Sequence, residues 1–210
     1  MYTSFEKMDY KYNKNMLIGI KGKIGVGKTE SAKILKESFP FQEYAMADPI
    51  KKIGAILGFS QDELYGSQEQ KLRINKHWGV SSREFLQKFG TDVCRLFMPT
   101  KIPQMKNLWV QCFEIFCEEH RDTNIIVSDV RFIDEADSIR KMGGIIIEIQ
   151  RKEKEKENDE WEDVELHNPH GHVSETEMDG IVADFVVENN SDVKHLTDEL
   201  TKIIVRKYLV

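Results

Sequence analysis

The eight residues Gly22-Lys23-Ile24-Gly25-Val26-Gly27-Lys28-Thr29 constrain this chain more than any other stretch. They match GxxxxGK(S/T) and stand between an apolar run, Met16-Leu17-Ile18-Gly19-Ile20, and a helical pattern. That pattern puts Ala32, Leu35 and Phe39 on one face and ends at Pro40. A strand, a glycine loop and a helix in this order form a phosphate cradle. The glycines let backbone N–H groups converge on an anion, and the helix start adds the positive end of its dipole. On this reading Gly22, Gly25, Val26 and Gly27 wrap a nucleoside triphosphate, and Lys28 reaches its β- and γ-phosphates. The Thr29 hydroxyl is then a ligand of Mg²⁺. A plain Gly/Lys turn is the alternative, and the flanking strand and helix argue against it.

The rest of the chain alternates short β-rich runs with helices. Further strands are expected at Phe41–Met46, Asn124–Ser128, Ile145–Ile149 and Val182–Glu188. Asp48 is placed to cap a helix with Pro49 at its first position, ahead of Ile50, Ile53 and Leu57. Ser60 with Glu63, and Ser81 with Glu84, have capping-box spacing. Phe85 to Phe97 reads as helix broken near Gly90. Another helix runs from about Met105 to His120, with Leu108, Trp109, Cys112, Phe113 and Phe116 inward. Later helices bury Phe132, Ala136 and Ile139, then Leu196, Leu200, Ile203 and Ile204. Strands alternating with helices imply an α/β fold, an open parallel sheet covered on both faces, in one domain of 210 residues. Ligands of such sheets gather beyond the carboxyl ends of the strands.

Composition excludes several classes. A net charge of −6 argues against a duplex-DNA binder. Cys94, Cys112 and Cys117 have no CxxC spacing, and Cys112 and Cys117 read as buried thiols of a reducing compartment. No run is long and apolar enough to span a membrane, and the first residues lack a signal-peptide core, so a cytoplasmic location is expected. From Arg151 to Glu165 nearly every residue is charged, which reads as a mobile excursion. His167, His170 and His172 follow it without a cysteine partner, and a lid over the nucleotide explains the region better than a metal site.

The end of the third strand narrows the reaction. No NKxD motif is present, as a GTPase would need, and Ile126-Val127-Ser128-Asp129-Val130-Arg131 carries one acid and then an arginine. That arrangement suits a small-molecule kinase. If the acceptor is itself a phosphate, its attacking oxygen is largely ionised near neutral pH. Cations that overcome repulsion then matter more than a general base, and arginine forks suit the task. Arg73, Arg83, Arg95, Arg131 and Arg151 are available.

The chain resembles the deoxynucleoside monophosphate kinases of tailed bacteriophages and large DNA viruses. The resemblance rests on the loop Gly22–Thr29, Ala47-Asp48-Pro49-Ile50-Lys51, Arg83-Glu84-Phe85-Leu86-Gln87, Gly90-Thr91-Asp92 and Arg95. It continues with Trp109, Asp129-Val130-Arg131-Phe132, Glu135-Ala136, Gly143-Gly144, His172, Ser174-Glu175, Asp184-Phe185 and Asn189. It implies a three-layer P-loop kinase fold with a five-stranded sheet in the order 2-3-1-4-5. It also implies an acceptor-binding helical region at about 49–120 and a lid at about 151–175. ATP with Mg²⁺ would be the donor and a deoxynucleoside monophosphate the acceptor, with no nucleic-acid or membrane partner.

Residue by residue, the resemblance makes Asp129 the acid that holds Mg²⁺ with Thr29. Lys28, Arg131 and Arg151 become catalytic cations, and Asn189 borders the donor adenine. Asp48, Lys51, Arg83, Gln87, Arg95 and Arg131 fall on the acceptor side, with Trp78 as the better base-stacking candidate and Trp109 as core. Asp48 stays ambiguous, because a hydroxyl acceptor, as in dephospho-coenzyme A kinases, would make it the base. A nucleotide-dependent switch or assembly protein is the remaining alternative. Oligomeric state stays open, a homodimer included.

Overall fold

β1 (Leu17–Lys21) is buried at every position, so it needs a strand on each edge and helices on each face. The computed structural model describes residues 15–152 and 177–209 and supplies both. β1 pairs in parallel with β3 (Asn124–Val127) and with β4 (Ile145–Gln150). β2 (Phe41–Tyr44) pairs with β3, and β5 (Phe185–Glu188) with β4, all in parallel. The order is β2-β3-β1-β4-β5, as the resemblance implies. Gly19 stands opposite Val127 and Ile146, so the carboxyl ends of the central strands open on one edge.

One face of the sheet packs against α1 (Lys28–Ser38) and the last helix, Val193–Ile204, through Ile18, Ile20, Leu35, Leu196 and Leu200. The other packs against Leu108–Glu119 and Ile133–Lys141 through Phe113, Val127, Ala136, Ile139 and Ile146. Between β2 and β3 the chain leaves the sheet. It forms α2 (Asp48–Ile56), α3 (Gln61–Tyr65), α4 (Gln68–Leu72), α5 (Ser82–Gln87), a π-helix (Lys88–Phe97) and α6 (Met98–Lys101). After a 3₁₀ turn come α7 (Leu108–Glu119) and, past β3, α8 (Ile133–Lys141); the last helix is α9. A small core of Ile50, Cys94 and Trp109 holds the excursion together and hangs it over the carboxyl edge.

Several boundaries differ from expectation. β2 ends at Tyr44 because the chain turns there, Asp48 N–H donating to the Ala45 carbonyl at 2.9 Å. β5 begins only at Phe185, since the Asp184 carboxylate takes the Ile146 amide at 2.7 Å that a ladder carbonyl would otherwise hold. α7 starts at Leu108, after left-handed Asn107 separates it from the 3₁₀ turn. The helix is not broken at Gly90. It widens to π geometry and runs through, and a Cβ at Gly90 would lie 2.7 Å from the Ile50 side chain. Ser60 and Glu63 do form the capping box, whereas Ser81 caps α5 and Glu84 turns to Lys88. Cys94 is buried, while Cys112 and Cys117 are only partly so, with burial pushing the Cys117 thiol up to about 12.

Layered packing predicts where stability sits. Ile126→Ala, at a fully buried position of β3, should cost about 2–5 kcal/mol in urea unfolding. Ile56→Ala, on the outer side of α2, should stay within about 0.5 kcal/mol, and equal losses would contradict the layering.

Candidate active site

The loop between β1 and α1 is held in a shape that only glycine tolerates. Gly27, the residue before α1, has φ 106°, and a Cβ there would lie 2.4 Å from the Asn189 side-chain nitrogen. Gly22 has φ 146°, with the Ile149 carbonyl 2.4 Å from where its Cβ would stand. Asn189 follows β5 and donates from Nδ2 to the Val26 carbonyl at 2.8 Å, so the fifth strand props the loop from below. Lys28 Nζ donates to the Gly22 and Lys23 carbonyls, each at 2.7 Å. Burial and the Arg131 charge lower Lys28 to about 8, with Asp129 opposing them.

Asp129 lies just past β3, and both its oxygens accept from the start of the next layer. Oδ1 takes the Met46 amide at 2.7 Å and Oδ2 the Ala47 amide at 3.2 Å. Asp48 therefore does not cap α2. It is the first helical residue and its side chain makes no capping bond, while Asp129 holds the amides of the two residues that lead into the helix. Burial pushes the Asp129 carboxyl up, while the two amides and Arg131 pull it down. Because both oxygens accept and neither donates, the geometry suits the ionised form.

Glu135 reaches back from α8 with Oε2 accepting from the Arg131 and Phe132 amides at 2.9 and 3.2 Å, which fixes the turn that carries Arg131. Its other oxygen takes Arg95 Nη2 at 2.9 Å. Arg95 Nη1 adds Asp134 at 2.8 and 2.6 Å, and the guanidinium lies 3.6 Å over the Phe132 ring. Arg95 is thus already matched by two carboxylates. Burial pushes the Glu135 carboxyl up to about 8 against the pull of the amides and Arg95.

Two cavities meet here, and Ile24, Lys28 and Arg131 line both. The smaller, about 340 Å³, lies on the loop at Gly22 and Lys23 and is closed by Val130, Met178 and Asp179. The larger, about 370 Å³, runs beneath the helical excursion. Of the expected acceptor residues it gathers Lys51, Arg83, Gln87, Arg95 and Arg131, with Thr29 and Asp129 at its loop end. Asp48 and Trp78 line neither cavity. Trp78 is half-exposed and donates its indole N–H to the Leu57 carbonyl at 2.7 Å, whereas Trp109 does border the larger cavity and donates to Gly90 at 2.9 Å. Arg151 is exposed beyond β4 and lines neither; the rest of the expected lid, with His167, His170 and His172, lies outside the described residues.

Lys71 and Gln68, which no sequence signal marked, also line the larger cavity. Glu135 could have been found, since it falls at the third position of a helix, where a carboxylate reaches back to free amides.

A phosphate loop at the centre of a parallel sheet, with an acid and an arginine after the neighbouring strand, defines a P-loop phosphotransferase. Comparison with known proteins narrows this. The sequence profile described as deoxynucleotide monophosphate kinase matches residues 59–200. A protein of Acanthamoeba polyphaga mimivirus, whose name gives it as an inferred deoxynucleotide monophosphate kinase, is 32% identical over 197 residues. That match covers 90% of this chain and 96% of the viral protein. The chain belongs to the deoxynucleotide monophosphate kinase family, and its acceptor is a deoxynucleoside monophosphate. Among solved structures, TT1252 from Thermus thermophilus aligns with a TM-score of 0.48 at 13% identity, over 92% of this chain and 98% of that one. A dephospho-CoA kinase from Campylobacter jejuni gives 0.44 at 14%, over 91% and 96%. Likeness this low says nothing about activity.

The double role of Asp129 has a consequence without any nucleotide or metal. Asp129→Ala should lose on the order of 3 kcal/mol of unfolding free energy in nucleotide-free, chelator-treated protein, because two amides lose a charged acceptor. Unchanged stability would mean that the carboxylate does not hold α2.

Proposed function

We propose that the donor is ATP, seated as its Mg²⁺ complex on Gly22–Thr29, and that the deoxynucleoside 5′-monophosphate lies in the larger cavity. The observation that carries this reading is the shared wall: Lys28 and Arg131 line both cavities, so a phosphate in each would meet between these two cations. An oxygen of the acceptor phosphate attacks the γ-phosphorus, a P–O bond forms, and the bond to the β-bridging oxygen breaks. ADP leaves with the electron pair. The attacking oxygen is already ionised, so no side chain has to remove a proton. Asp48 lines neither cavity, which favours a phosphate acceptor over a hydroxyl acceptor that would need it as base.

The work of the residues is then positioning and charge compensation. Lys28 holds the triphosphate tail, and Asn189 supports the loop from the donor side. Arg131, fixed by Glu135, spans donor and acceptor phosphates; Lys51, Arg83 and Gln87 hold the acceptor. The donor set for a cation is the Thr29 hydroxyl and the Asp129 carboxylate, hard oxygens that suit Mg²⁺, an ion that takes few protein ligands alongside phosphates and water. Among the described residues no cluster of three or more His, Cys, Asp or Glu side chains could hold a metal alone, and a site completed by phosphate oxygens needs none. When bound, the cation would neutralise charge on the β- and γ-phosphates. No described helix is long and apolar enough to cross a membrane.

The test is conversion of each of the four dNMPs to its diphosphate with Mg-ATP. At least one should turn over, and none doing so would refute the reading. In the same assay kcat/KM for ATP should fall as pH rises above about 8, because the free enzyme then loses the Lys28 proton that attracts the triphosphate. A flat profile to pH 10 would contradict that role for Lys28.

A further inference from the structure

We infer that Lys71, at the end of α4, is a further phosphate-binding residue of the acceptor cleft, acting beside Arg83. This rests on the proposed kinase activity and extends it to a residue that no motif marks.

Lys71 reaches the cleft by construction. Ser82, fully buried at the start of α5, donates its hydroxyl to the Glu63 carbonyl and lies 3.2 Å from the Lys71 carbonyl. The next residue is Arg83. The buried hydroxyl ties the start of α5 to α3, the end of α4 lies against it with the Lys71 carbonyl in contact, and both cations line the cleft. Lys51 arrives from α2, Arg95 from the π-helix, Arg131 from the turn after β3 and Lys28 from the start of α1, so six cations line one cavity.

These cations are not matched alike. Arg95 has two carboxylates, and Lys51 has Asp48 at 3.9 Å. Among the described residues no carboxylate lies within 4.0 Å of Lys71. Its surroundings act the other way: burial, Lys51, Arg131 and Arg83 all lower its pKa. An ammonium held half-buried among like charges is a free-energy cost that a compact dianion would offset. A base or a sugar has no use for such charge density, whereas a monophosphate does.

Calorimetric affinities for ATP, and for the dNMP that turns over best, test the assignment in wild type and variants. Lys71→Met should bind the dNMP about 10- to 100-fold more weakly, the loss expected for one hydrogen bond between charged groups. ATP affinity should stay within about twofold, because Lys71 lines only the larger cavity. Lys71→Arg should restore most of the dNMP affinity, and Lys71→Gln, which keeps most of the stem, should behave as Lys71→Met. If Lys71→Met binds the dNMP as wild type does, or loses ATP as severely, the inference is wrong and the kinase reading stands. If wild type binds no dNMP, both fall.

Discussion

The carboxylate of Asp129 joins the two halves of the molecule. It closes β3 on the sheet side and receives the Met46 and Ala47 amides on the other, across more than eighty residues of chain. Without it the Met46 and Ala47 amides that lead into α2 would lose their acceptor, and with it the tie between the helix entry and the sheet edge. α2 carries Lys51 into the cleft and packs Ile50 against the core of the helical excursion. The position of the acceptor cations relative to the phosphate loop therefore depends on an acid beside that loop. The residue proposed to hold the cation is thus also a structural tie.

Charge in the cleft is sorted rather than uniform. Carboxylates engage both terminal nitrogens of Arg95 and hold the Arg131 turn through its backbone, leaving the Arg131 side chain exposed at the junction of the two cavities. Lys28, Arg131, Lys51, Arg83 and Lys71 line the larger cavity, where the acceptor is proposed to lie. Bringing two polyanions together in water is opposed by their repulsion, and a preorganised cationic wall is the proposed means of lowering that barrier. The larger cavity is lined by six cations and two acids, Asp129 and Glu135, so a net charge of −6 for the whole chain does not describe the cleft.

The parts of this arrangement legible in the sequence were those written in local spacing. The phosphate loop, the buried parallel strands and the Asp129–Arg131 pair each occupy a short contiguous run, and the structure puts them where such runs belong. Arg83 and Gln87 were marked by the resemblance, and they do face the cleft. What escaped is tertiary. Asp48 looks like a cap because Pro49 follows it, but it is already the first helical residue, and the carboxylate that fixes the entry to α2 is Asp129 in another layer. Trp78 looks like a stacking residue because its neighbours are polar, yet its indole is tied to Leu57 outside the cleft. Lys71 sits in an ordinary helical surface pattern, and only the packing of the end of α4 against the start of α5 shows that it lines the cleft. The π-helix likewise has no local signature beyond Gly90, whose absent side chain lets Ile50 approach.

The central claim is that two phosphate sites lie end to end, with Lys28 and Arg131 between them. An adenosine and a deoxynucleoside joined through five phosphates would occupy both at once. Its dissociation constant, measured by calorimetry, should lie at least about 100-fold below that of ATP, since the second site is then filled without a second association. An analogue that binds no more tightly than ATP would mean that the two cavities are not halves of one site.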